Sequence, residues 1–402
     1  MDIYNIAKII EKNNGRLYFV GGYVRDKLLG ITSHDIDFCV TNIDEQTFLN
    51  LFPQAIKTGK SFPVFRIENY EFAFARTETK NGTGHNGFSM FTNNVTIEED
   101  LLRRDISINS IAMDVLTQEI IDPTNGVHDL KNKIIRANTK HFSEDALRSY
   151  RVARFAATLG FNVDESTINL MNSTRNELYL LSAERVFEEL KKALSSDTPS
   201  IFFNTLRNAN ILDVHFIEIY NLINVIQPII YHPEGDVYTH SMIVLDEASK
   251  LTDDISIRFC ALTHDLGKAA TPQNILPHHY GHDERGVELV RNLCNRLKTP
   301  TSWKKAATIV AKEHMKAGIF NQMSFSKKVS FMERNFNFLE ALSVVAKVDS
   351  RKTDIDFVSI ASKMMNEVNG EKIELPNDIR AKEILHEKRV SWLKKYYARK
   401  LA

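Results

Sequence analysis

The sequence predicts an α+β fold in which an N-terminal α/β head precedes an all-helical remainder. Short apolar runs alternate with helical patterns from Leu17 to about Arg136, as in a sheet packed against helices. Beyond about Lys140, strand-like alternation fades and helical spacing takes over. With 402 residues, 43% of them apolar, the chain is long enough to form more than one buried core.

Local patterns define the elements of the head. An amphipathic helix ahead of the first strand is predicted by the helical spacing of Ile3, Ile6, Ile9 and Ile10. The apolar runs that follow predict a strand at 17–20, a helix at 24–29, and strands at 62–67 and 70–75.

The composition excludes several classes of protein. Three cysteines without metal-type spacing argue against a disulfide framework and favour a reducing compartment. No run approaches the length of a membrane span, and the first residues lack a signal-peptide core, so we expect a cytoplasmic protein without a membrane partner. A net charge of +0 argues against indiscriminate nucleic-acid coating but permits a local basic surface.

Two glycines mark the turn between the first strand and the first helix. Gly21 and Gly22 can let phosphate oxygens approach the backbone N–H groups, because no Cβ stands in the way. Arg25, one turn into the helix, adds positive charge. The turn therefore indicates a phosphate-binding element, although an ordinary glycine turn is the alternative if the motif is taken alone.

A pair of carboxylates follows about ten residues later. Asp35 and Asp37 are two positions apart on a predicted strand, so both side chains project from one face. Two such carboxylates can hold Mg²⁺ against phosphate oxygens, and Glu71 on a neighbouring strand is a candidate third. Solvated acids at a strand end are the alternative, but the order and spacing of both motifs together favour nucleotidyl transfer.

Four segments carry a family resemblance. They are GGYVRDKLLG with HDIDF (21–38), RRDISINSIAMD (103–114), EDALRSYRVARFAATLGF (144–161) and ERVFEELKKAL (184–194). In this order they resemble the bacterial tRNA nucleotidyltransferases, the CCA-adding enzymes of the polymerase-β-like superfamily. The runs 238–241 and 261–268 resemble the HD phosphohydrolase domain that is fused to the multifunctional members of that family.

The resemblance implies both an activity and a domain organisation. The activity is addition of C, C and A to the 3′ end of tRNA from CTP and ATP, in maturation and repair. The implied segments are a catalytic head at 1–139, a helical neck and body at 140–227, an HD domain at 228–350 and a helical C-terminal segment at 351–402. The sequence is compatible with a monomer or a homodimer.

The RRD motif is predicted at the start of a helix whose apolar positions are Ile106, Ile108, Ile111 and Met113. The resemblance places Arg104 in the nucleotide site with Gly22 and Arg25, where a guanidinium binds phosphate or ribose oxygens. The alternative is a solvated arginine that pairs with the nearby acids Glu99 and Asp100.

A base-reading helix is predicted to begin at Glu144. Asp145 and Arg148 are three residues apart, so they share a helix face and would normally form only an ion pair of little consequence. Cytosine and adenine both present an amino donor beside a ring-nitrogen acceptor, which an acceptor-only Asp and a donor-only Arg can match. The resemblance assigns this pair to base selection and adds Arg151 as a nucleotide contact.

The polar, glycine-rich run 76–87 predicts a mobile surface loop. By resemblance it corresponds to the flexible loop that CCA-adding enzymes use to switch from C to A, which favours the full activity.

The second site is predicted from a set of histidines and carboxylates in the helical part. Imidazole and carboxylate ligands suit a divalent transition metal that activates water against a phosphate ester. The predicted metal ligands are His240, His264, Asp265 and Asp349, with His279 and His282 as additional ligands or substrate contacts. The resemblance implies 2′,3′-cyclic phosphodiesterase, 2′-nucleotidase and phosphatase activities with a metal such as Ni²⁺.

Three alternatives stay open at this point. A bacterial poly(A) polymerase shares the head and neck motifs but is not expected to carry an HD domain. A signalling enzyme that pairs a nucleotidyltransferase with an HD hydrolase would need a further ligand-sensing domain. A non-enzymatic tRNA-binding module is disfavoured because both sets of acids are intact.

The basic run 380–402, with eight Lys/Arg against two Glu, is better explained as a solvated helix than as an RNA contact.

Overall fold

A computed structural model describes residues 2–33, 36–58, 63–80, 88–92, 94–138, 141–350, 356–369 and 380–401. The chain forms two compact units. The first unit comprises Met1–Glu189 and Ile201–Val214, and the second comprises Leu190–Ser200 and His215–Ala402. The predicted α+β class is confirmed, because strands in the N-terminal part are followed by helices.

A seven-stranded mixed sheet forms the centre of the first unit, in the order β3-β4-β5-β2-β1-β8-β9. The β2–β5 pair is parallel, whereas the other pairs in this sheet are antiparallel. The described strands are β1 Arg16–Val20, β2 Asp37–Thr41, β3 Ile56–Thr58, β4 Val64–Ile67, β5 Tyr70–Phe74, β6 Thr77–Lys80, β7 Phe88–Phe91, β8 Ala112–Asp114, β9 Ile120–Ile121, β10 Ile134–Ile135 and β11 Asn162–Val163.

Helices account for most of the remaining described chain. Within the described residues, no helix is both long enough and apolar enough to cross a membrane. In chain order they are α1 Ile3–Lys12, α2 Gly22–Leu28, α3 Glu45–Leu51, α4 Ile97–Leu102, α5 Gly126–Lys131, α6 Leu147–Leu159, α7 Glu165–Ser173, α8 Arg175–Leu178, α9 Ala183–Leu194, α10 Ser200–Asn208, α11 Leu212–Tyr220, α12 Val237–Leu251, α13 Ile255–Thr263, α14 His282–Leu297, α15 Thr301–Gly318, α16 Phe325–Arg334, α17 Leu339–Ser350, α18 Phe357–Glu367 and α19 Arg380–Leu401.

Aromatic packing in the core of the first unit fixes the position of β2. Phe38 of β2 stacks on Phe72 of β5 with ring centroids 5.2 Å apart, and Phe48 of α3 lies 5.7 Å from the same Phe72 ring. All three are buried, and each such side chain stabilises the fold by about 1.5–3 kcal/mol. The isoleucine face of α1 packs into the same core, as predicted.

The register of β2 and β5 determines where two carboxylates lie. Asp37 is the direct parallel partner of Glu71, so both side chains leave the sheet on the same face. Asp37 also pairs with Val20, the last residue of β1, which leads directly into the glycine turn. The strand order therefore brings the first acidic motif next to the glycine motif.

The RRD segment does not start a helix, contrary to the prediction. Arg103 caps the C-terminal end of α4, a helix that starts from a capping box between Thr96 and Glu99, so the motif follows a helix rather than starting one. The next residues form a short 3-10 turn at Ser107–Asn109 and then β8. The spacing was misleading because Ile106 and its neighbouring isoleucines are fully buried and carry no amphipathic signal.

Two other local predictions need correction. The base-reading helix begins at Leu147 rather than Glu144, and Asp145 precedes it with extended backbone (φ −127°, ψ 106°). Part of the predicted loop is strand, because β6 pairs with β7, while residues 81–87 lie outside the described chain. The otherwise helical neck also contributes one two-residue strand, β11, which pairs in parallel with β10.

Candidate active sites

A cavity of about 670 Å³ lies in the first unit among residues of β1, β2, β5, α2, α4, α6 and α9. The described residues predicted for catalysis and nucleotide binding all line it, namely Gly22, Arg25, Asp37, Arg104, Asp145, Arg148 and Arg151. Glu71 lines the cavity as well. Asp35 lies outside the described residues.

The glycine turn has one position where only glycine fits. Gly21 has a φ of +66°, and a Cβ there would lie 3.2 Å from Nη1 of Arg104 and 3.9 Å from Oδ2 of Asp37. Gly22, the first residue of α2, has ordinary backbone angles. The backbone of the turn therefore lies close to Arg104 and Asp37. Gly21 is the more constrained of the two glycines.

Arg25 is fixed from two sides. Its Nε donates to Oδ1 of Asp26 at 2.9 Å, and its Nη1 donates to Oδ1 of Asn109 at 2.7 Å. The guanidinium also lies 5.5 Å from the centre of the Phe155 ring, which Arg151 approaches at 5.6 Å from α6. These contacts hold two positive groups at the cavity in one orientation.

A single buried carboxylate positions both arginines of the RRD motif. Asp100 is 1% exposed and accepts from Nη2 of Arg103 at 2.7 Å and from Nη2 of Arg104 at 2.9 Å. Burial works against the charged form, but Arg104 and Arg103 hold the pKa of Asp100 below its ordinary value. Arg104 thus pairs with Asp100, as in the alternative that the sequence left open, but its side chain is 22% exposed and not solvated as that alternative required.

The third residue of the motif orients α6. Asp105 is buried and accepts from Nε of Arg151 at 2.7 Å. Burial opposes its ionisation, yet Arg151 keeps the pKa of Asp105 below its usual range. Arg148 adds two further links, because its guanidinium donates to the backbone oxygens of His141 at 2.7 Å and Arg103 at 2.9 Å.

Asp145 has a partner that the sequence analysis missed. Its Oδ2 accepts from Nη2 of Arg185 on α9 at 2.8 Å, and its Oδ1 accepts from the backbone N–H of Leu147 at 3.1 Å. Arg185 also lines the cavity. It belongs to the ERVFEEL run that carries the family resemblance, and that run is the signal that could have identified it.

The second predicted site is a buried cluster within the second unit. His240 lies on α12, His264 and Asp265 follow directly after α13, and Asp349 lies on α17. Nε2 of His240 is 3.1 Å from Oδ1 of Asp349 and 3.7 Å from Oδ2 of Asp265. Nε2 of His264 is 3.2 Å from Oδ2 of Asp265. The four predicted ligands therefore converge on one point, with all four ligand atoms within 4.8 Å of one another.

Hydrogen bonds turn the lone pairs of both histidines toward that point. Nδ1 of His264 donates to the backbone oxygen of Ala261 at 2.7 Å, and Nδ1 of His240 donates to Oε1 of Glu234 at 2.7 Å. With the Nδ1 atoms engaged in this way, each Nε2 is the ring nitrogen that is placed to bind a metal. Glu234 has no local sequence signal, because its role depends on the folded position of His240.

The cluster is built to hold positive charge. Nε2 of His264 and both carboxylate oxygens of Asp265 are buried and form no hydrogen bond within the described chain. Burial disfavours an imidazolium, but Asp265 and Asp349 raise the pKa of His264 from 6.5 to about 10. Buried acceptors of this kind need a cation, and mixed imidazole and carboxylate donors suit a divalent transition metal.

The additional histidines divide into two groups. Nε2 of His282 lies 3.2 Å from Oδ1 of Asp265, and His314 lies beside it, with burial lowering its pKa to about 4. His314 was missed, although a histidine on the buried face of α15 was an available signal. His279 faces elsewhere, because its Nδ1 pairs with the Thr271 hydroxyl at 2.7 Å and its Nε2 with the backbone oxygen of Ile226 at 3.0 Å.

Family models match three parts of the chain. Residues 17–136 match the Poly A polymerase head domain, and residues 160–222 match the probable RNA and SrmB-binding site of polymerase A. Residues 237–350 match the HD domain. Both the head type and the HD type of domain depend on metal ions.

Solved structures share the fold. The crystal structure of the Bacillus stearothermophilus CCA-adding enzyme in complex with CTP aligns with a TM-score of 0.64 at 19% identity, covering 99% of this chain and 97% of that one. The Thermotoga maritima CCA-adding enzyme complexed with tRNA gives a TM-score of 0.66 at 19% identity, covering 98% of this chain and 92% of that one.

Curated relatives are much closer in sequence. The multifunctional CCA protein of Haemophilus influenzae (strain PittGG) is 45% identical over 313 residues, which are 74% of this chain and 74% of that protein. That of Shewanella denitrificans is 43% identical over 327 residues, covering 79% and 78%. The family that the motifs predicted is thereby confirmed, and the chain belongs to the multifunctional CCA proteins, in which a poly(A)-polymerase-type head is joined to an HD domain.

Proposed function

We propose that the first unit adds C, C and A to the 3′ end of tRNA, using CTP and ATP, in the cytoplasm where tRNAs mature and are repaired. The observation that carries this proposal is the cavity itself. It places Asp37 and Glu71 beside a group of arginines from three helices and the RRD segment, which are Arg25, Arg104, Arg148, Arg151 and Arg185. Carboxylates next to several guanidiniums suit a triphosphate that is bound with its metal.

The carboxylates at the sheet edge would hold Mg²⁺. Asp37 lies in the cavity, Glu71 is its partner across the parallel ladder, and Asp35 is assigned by the family motif. Oxygen ligands of this kind fit Mg²⁺, and Asp37 faces the glycine turn where phosphate oxygens would lie. When bound, Mg²⁺ would activate the tRNA 3′-hydroxyl and stabilise the leaving pyrophosphate.

The arginines would bind and orient the nucleotide. Arg25 and Arg104 flank the glycine turn, so they would bind the triphosphate and the sugar, with Gly22 offering backbone N–H. Arg151 would contact the nucleotide from α6 while Asp105 holds its Nε. Because Asp100 holds Arg104 and Asp105 holds Arg151 before the nucleotide binds, little side-chain entropy is lost on binding.

The base would be selected by Asp145 and Arg148. An Asp oxygen can accept from the amino group of C or A, and a guanidinium N–H can donate to the adjacent ring nitrogen. Both side chains line the cavity. Uracil and guanine present a carbonyl beside an N–H on that edge, which leaves both side chains without a match.

The decisive experiment uses a tRNA transcript that lacks its 3′ CCA. With Mg²⁺, CTP alone should extend it by two nucleotides, CTP with ATP by three, and UTP or GTP by none. A ladder longer than three nucleotides with ATP alone would favour the poly(A) polymerase alternative. No extension under any condition would overturn the proposal for this unit.

We further propose that the HD cluster hydrolyses phosphate esters, with His240, His264, Asp265 and Asp349 holding a divalent transition metal such as Ni²⁺. A bound metal of this type supplies an activated water for attack on phosphorus. Lys268 would bind a phosphate oxygen, since its Nζ lies 2.6 Å from Oδ2 of Asp265 and is oriented by the Gln227 side chain at 2.9 Å. The expected activities are 2′,3′-cyclic phosphodiesterase, 2′-nucleotidase and phosphatase.

The corresponding assay measures hydrolysis of 2′,3′-cyclic AMP, 2′-AMP and p-nitrophenyl phosphate by the full chain. Activity should disappear on chelation and return with Ni²⁺, Co²⁺ or Mn²⁺. If no substrate were cleaved with any of these metals, the hydrolase proposal would fail.

We propose the domain boundaries 139/140, 227/228 and 350/351. The three family matches support them, because each match falls inside one of the segments that these boundaries define.

A further inference from the structure

Two segments adjoin the HD cluster within the second unit, and the first consists of residues 226–232, which we call the first rim segment. Its last residue, His232, packs edge to face against the His240 ring, with centroids 4.7 Å apart. Near its start, the side chain of Gln227 accepts from Nζ of Lys268 at 2.9 Å. Because both contacts are with residues assigned to metal or phosphate binding, this segment lies directly beside the site.

The second rim segment, residues 278–281, leads into α14. Nε2 of His282, the first residue of that helix, is 3.2 Å from Oδ1 of Asp265. Within the segment, Nε2 of His279 donates to the backbone oxygen of Ile226 at 3.0 Å, so a hydrogen bond joins the two rim segments. Together they form one continuous rim beside the cluster.

Each rim segment presents a tyrosine to solvent. Tyr231 is 74% exposed and Tyr280 is 72% exposed, and neither side chain forms a hydrogen bond within the described chain. The Tyr280 ring stacks on the ring of His278, with centroids 5.5 Å apart and an interplanar angle of 21°. Stacked pairs of this kind suit further flat rings, because aromatic rings prefer offset face-to-face contacts. Both tyrosines are therefore available to an aromatic ligand from solution.

The backbone beneath both tyrosines is held by hydrogen bonds. Arg285 of α14 donates to the backbone oxygen of Tyr280 at 2.9 Å and to the hydroxyl of Thr271 at 3.1 Å. The backbone N–H of Tyr231 donates to the backbone oxygen of Pro228 at 3.0 Å. A tyrosine has only two side-chain torsions to fix, so little ordering is needed when a ring binds here.

The chemistry beside the rim selects the occupant. A substrate phosphate would lie at the cluster, where Lys268 and the metal ligands are. In a nucleotide, the ribose joins that phosphate to a planar aromatic base, so the base is close to whatever holds the phosphate. Every nucleobase has a π face, and stacking on aromatic side chains tolerates any base. A nucleobase is accordingly the ligand that fits exposed rings next to a phosphate-binding group.

We propose that Tyr231 and Tyr280 bind the nucleobase of the phosphate ester that the HD cluster hydrolyses. They thereby make the site selective for nucleotides and RNA ends over phosphates without a base. The inference rests on the proposed hydrolase function and adds two specificity-determining residues to it. Because the rings contact the base and not the reacting phosphorus, they stabilise the bound substrate and the transition state equally.

The test compares a nucleotide with a base-free ester on the full chain supplied with Ni²⁺. The substrates are 2′-AMP and glycerol 2-phosphate, which are both phosphate esters of a secondary alcohol. Tyr231→Ala and Tyr280→Ala should each raise KM for 2′-AMP by about five- to 150-fold, which corresponds to roughly 1–3 kcal/mol of base stacking. The value of kcat for 2′-AMP and kcat/KM for glycerol 2-phosphate should stay at the parent values. Phe at either position should preserve the parent KM, because a phenyl ring stacks as well.

Phe336→Ala is the matched control, because this exposed aromatic residue precedes α17, whose far end, about 18 Å along the helix, carries Asp349. It should leave every constant unchanged, and circular dichroism reports whether each variant is folded. An unchanged KM for 2′-AMP in both tyrosine variants would overturn the proposal. An equal loss on both substrates would also overturn it, because the tyrosines would then be structural.

A binding measurement separates this inference from the hydrolase itself. A phosphonate analogue of 2′-AMP, in which carbon replaces the ester oxygen, cannot be hydrolysed and can be titrated calorimetrically with Ni²⁺ present. The parent protein is compared with the double variant Tyr231→Ala, Tyr280→Ala, and since the head cavity is the same in both, a difference reports the rim. Weaker binding in the double variant without cleavage of any ester would support the rim while refuting the hydrolase. Equal binding in the two proteins with esters cleaved would refute the rim alone.

Discussion

The head cavity and the HD cluster both bury carboxylates, but they neutralise them in different ways. In the cavity, Asp100 and Asp105 each meet a guanidinium within 2.9 Å. In the cluster, Nε2 of His264 and Nε2 of His282 each lie 3.2 Å from an oxygen of Asp265, and Nζ of Lys268 lies 2.6 Å from Oδ2. Arginine is charged at any physiological pH, whereas histidine is not.

This difference leads us to expect a different class of ligand at each site. Seven arginines and five carboxylates line the cavity, so a net positive charge remains once the buried acids are paired, and this charge suits an anion such as a triphosphate. Among the described residues, both oxygens of Asp265 and Nε2 of His264 are buried without a hydrogen bond, so the cluster suits a cation. The same residue type, a buried aspartate, thus supports an anion site in one unit and a cation site in the other.

The largest expected effect is a complete separation of the two activities. Asp37→Ala should abolish nucleotide addition and leave cyclic phosphate hydrolysis intact, whereas Asp265→Ala should do the reverse. Metal catalysis supplies several kcal/mol, so each loss should exceed about a thousandfold at roughly 1.4 kcal/mol per tenfold. The measurement is single-turnover CCA addition and 2′,3′-cyclic AMP hydrolysis on the same preparations.

Each variant serves as the folding control of the other, because the activity it retains reports an intact chain. If Asp37→Ala removed both activities from a protein with a native circular dichroism spectrum, the assignment of two independent sites would be wrong.

The sequence was a good guide to the residues that line the cavity and a poor guide to the residues that position them. Gly22, Arg25 and Asp37 lie in short contiguous motifs, and the structure brings them into one cavity. Glu234 contacts His240, and Arg185 contacts Asp145 across 40 residues of chain. No periodicity in a single sequence encodes such a distant pair.

The error at the RRD segment has a related cause. Ile106, Ile108 and Ile111 are buried completely, and a segment that is buried on all sides has no polar face from which to deduce its period. The sequence therefore indicated a buried segment correctly but could not distinguish a helix from a 3-10 turn followed by a strand. The same argument explains why the N-terminal helix α1, with one polar face, was predicted correctly.

The second prediction asks whether an arginine of the cavity reads the base or only balances charge. Arg148→Ala should relax the preference for CTP over UTP, because a bidentate contact to a base is worth roughly 1–3 kcal/mol of discrimination. The expected change is about ten- to a hundredfold in the ratio of single-turnover rates. The substrate is a tRNA that lacks its terminal CCA, and Asp145→Ala should act in the same direction.

Arg154→Gln provides a matched control on the same helix, because Arg154 pairs with Glu189 at 2.6 Å and does not line the cavity. It should leave the CTP to UTP ratio unchanged. A uniform loss of rate in Arg148→Ala with the wild-type ratio preserved would make Arg148 a positioning residue of α6, acting through its bonds to His141 and Arg103.

The third prediction concerns the outer partner of the metal cluster. Glu234→Gln removes the carboxylate that accepts from Nδ1 of His240 and orients its ring, so metal affinity should fall by about ten- to a hundredfold. Competition with a metal-binding dye on the Asp37→Ala protein measures the change. Glu247→Gln, on the helix that carries His240 but paired with the exposed Lys250, should have no effect. Equal affinities in the two variants would remove Glu234 from the metal site.

The smallest expected effect is a difference between the two sites in how ligand affinity depends on pH. In the metal-free protein the pKa of His264 is about 10, well above its ordinary 6.5, so this ring carries a proton that a metal must displace. Metal affinity should therefore rise with pH, by about tenfold per pH unit between 7 and 8.5 for one displaced proton. The contribution of that proton to the stability of the metal-free fold has the opposite trend: it is complete below pH 6.5 and is lost as pH rises through about 10.

The affinity of the head for nucleotide should not change over the same pH range, because arginines hold the pKa values of Asp100 and Asp105 below 3.8. Calorimetric titration of Mn²⁺ and of CTP at three pH values compares the two sites directly, and a flat metal affinity would show that His264 binds its metal without giving up a proton.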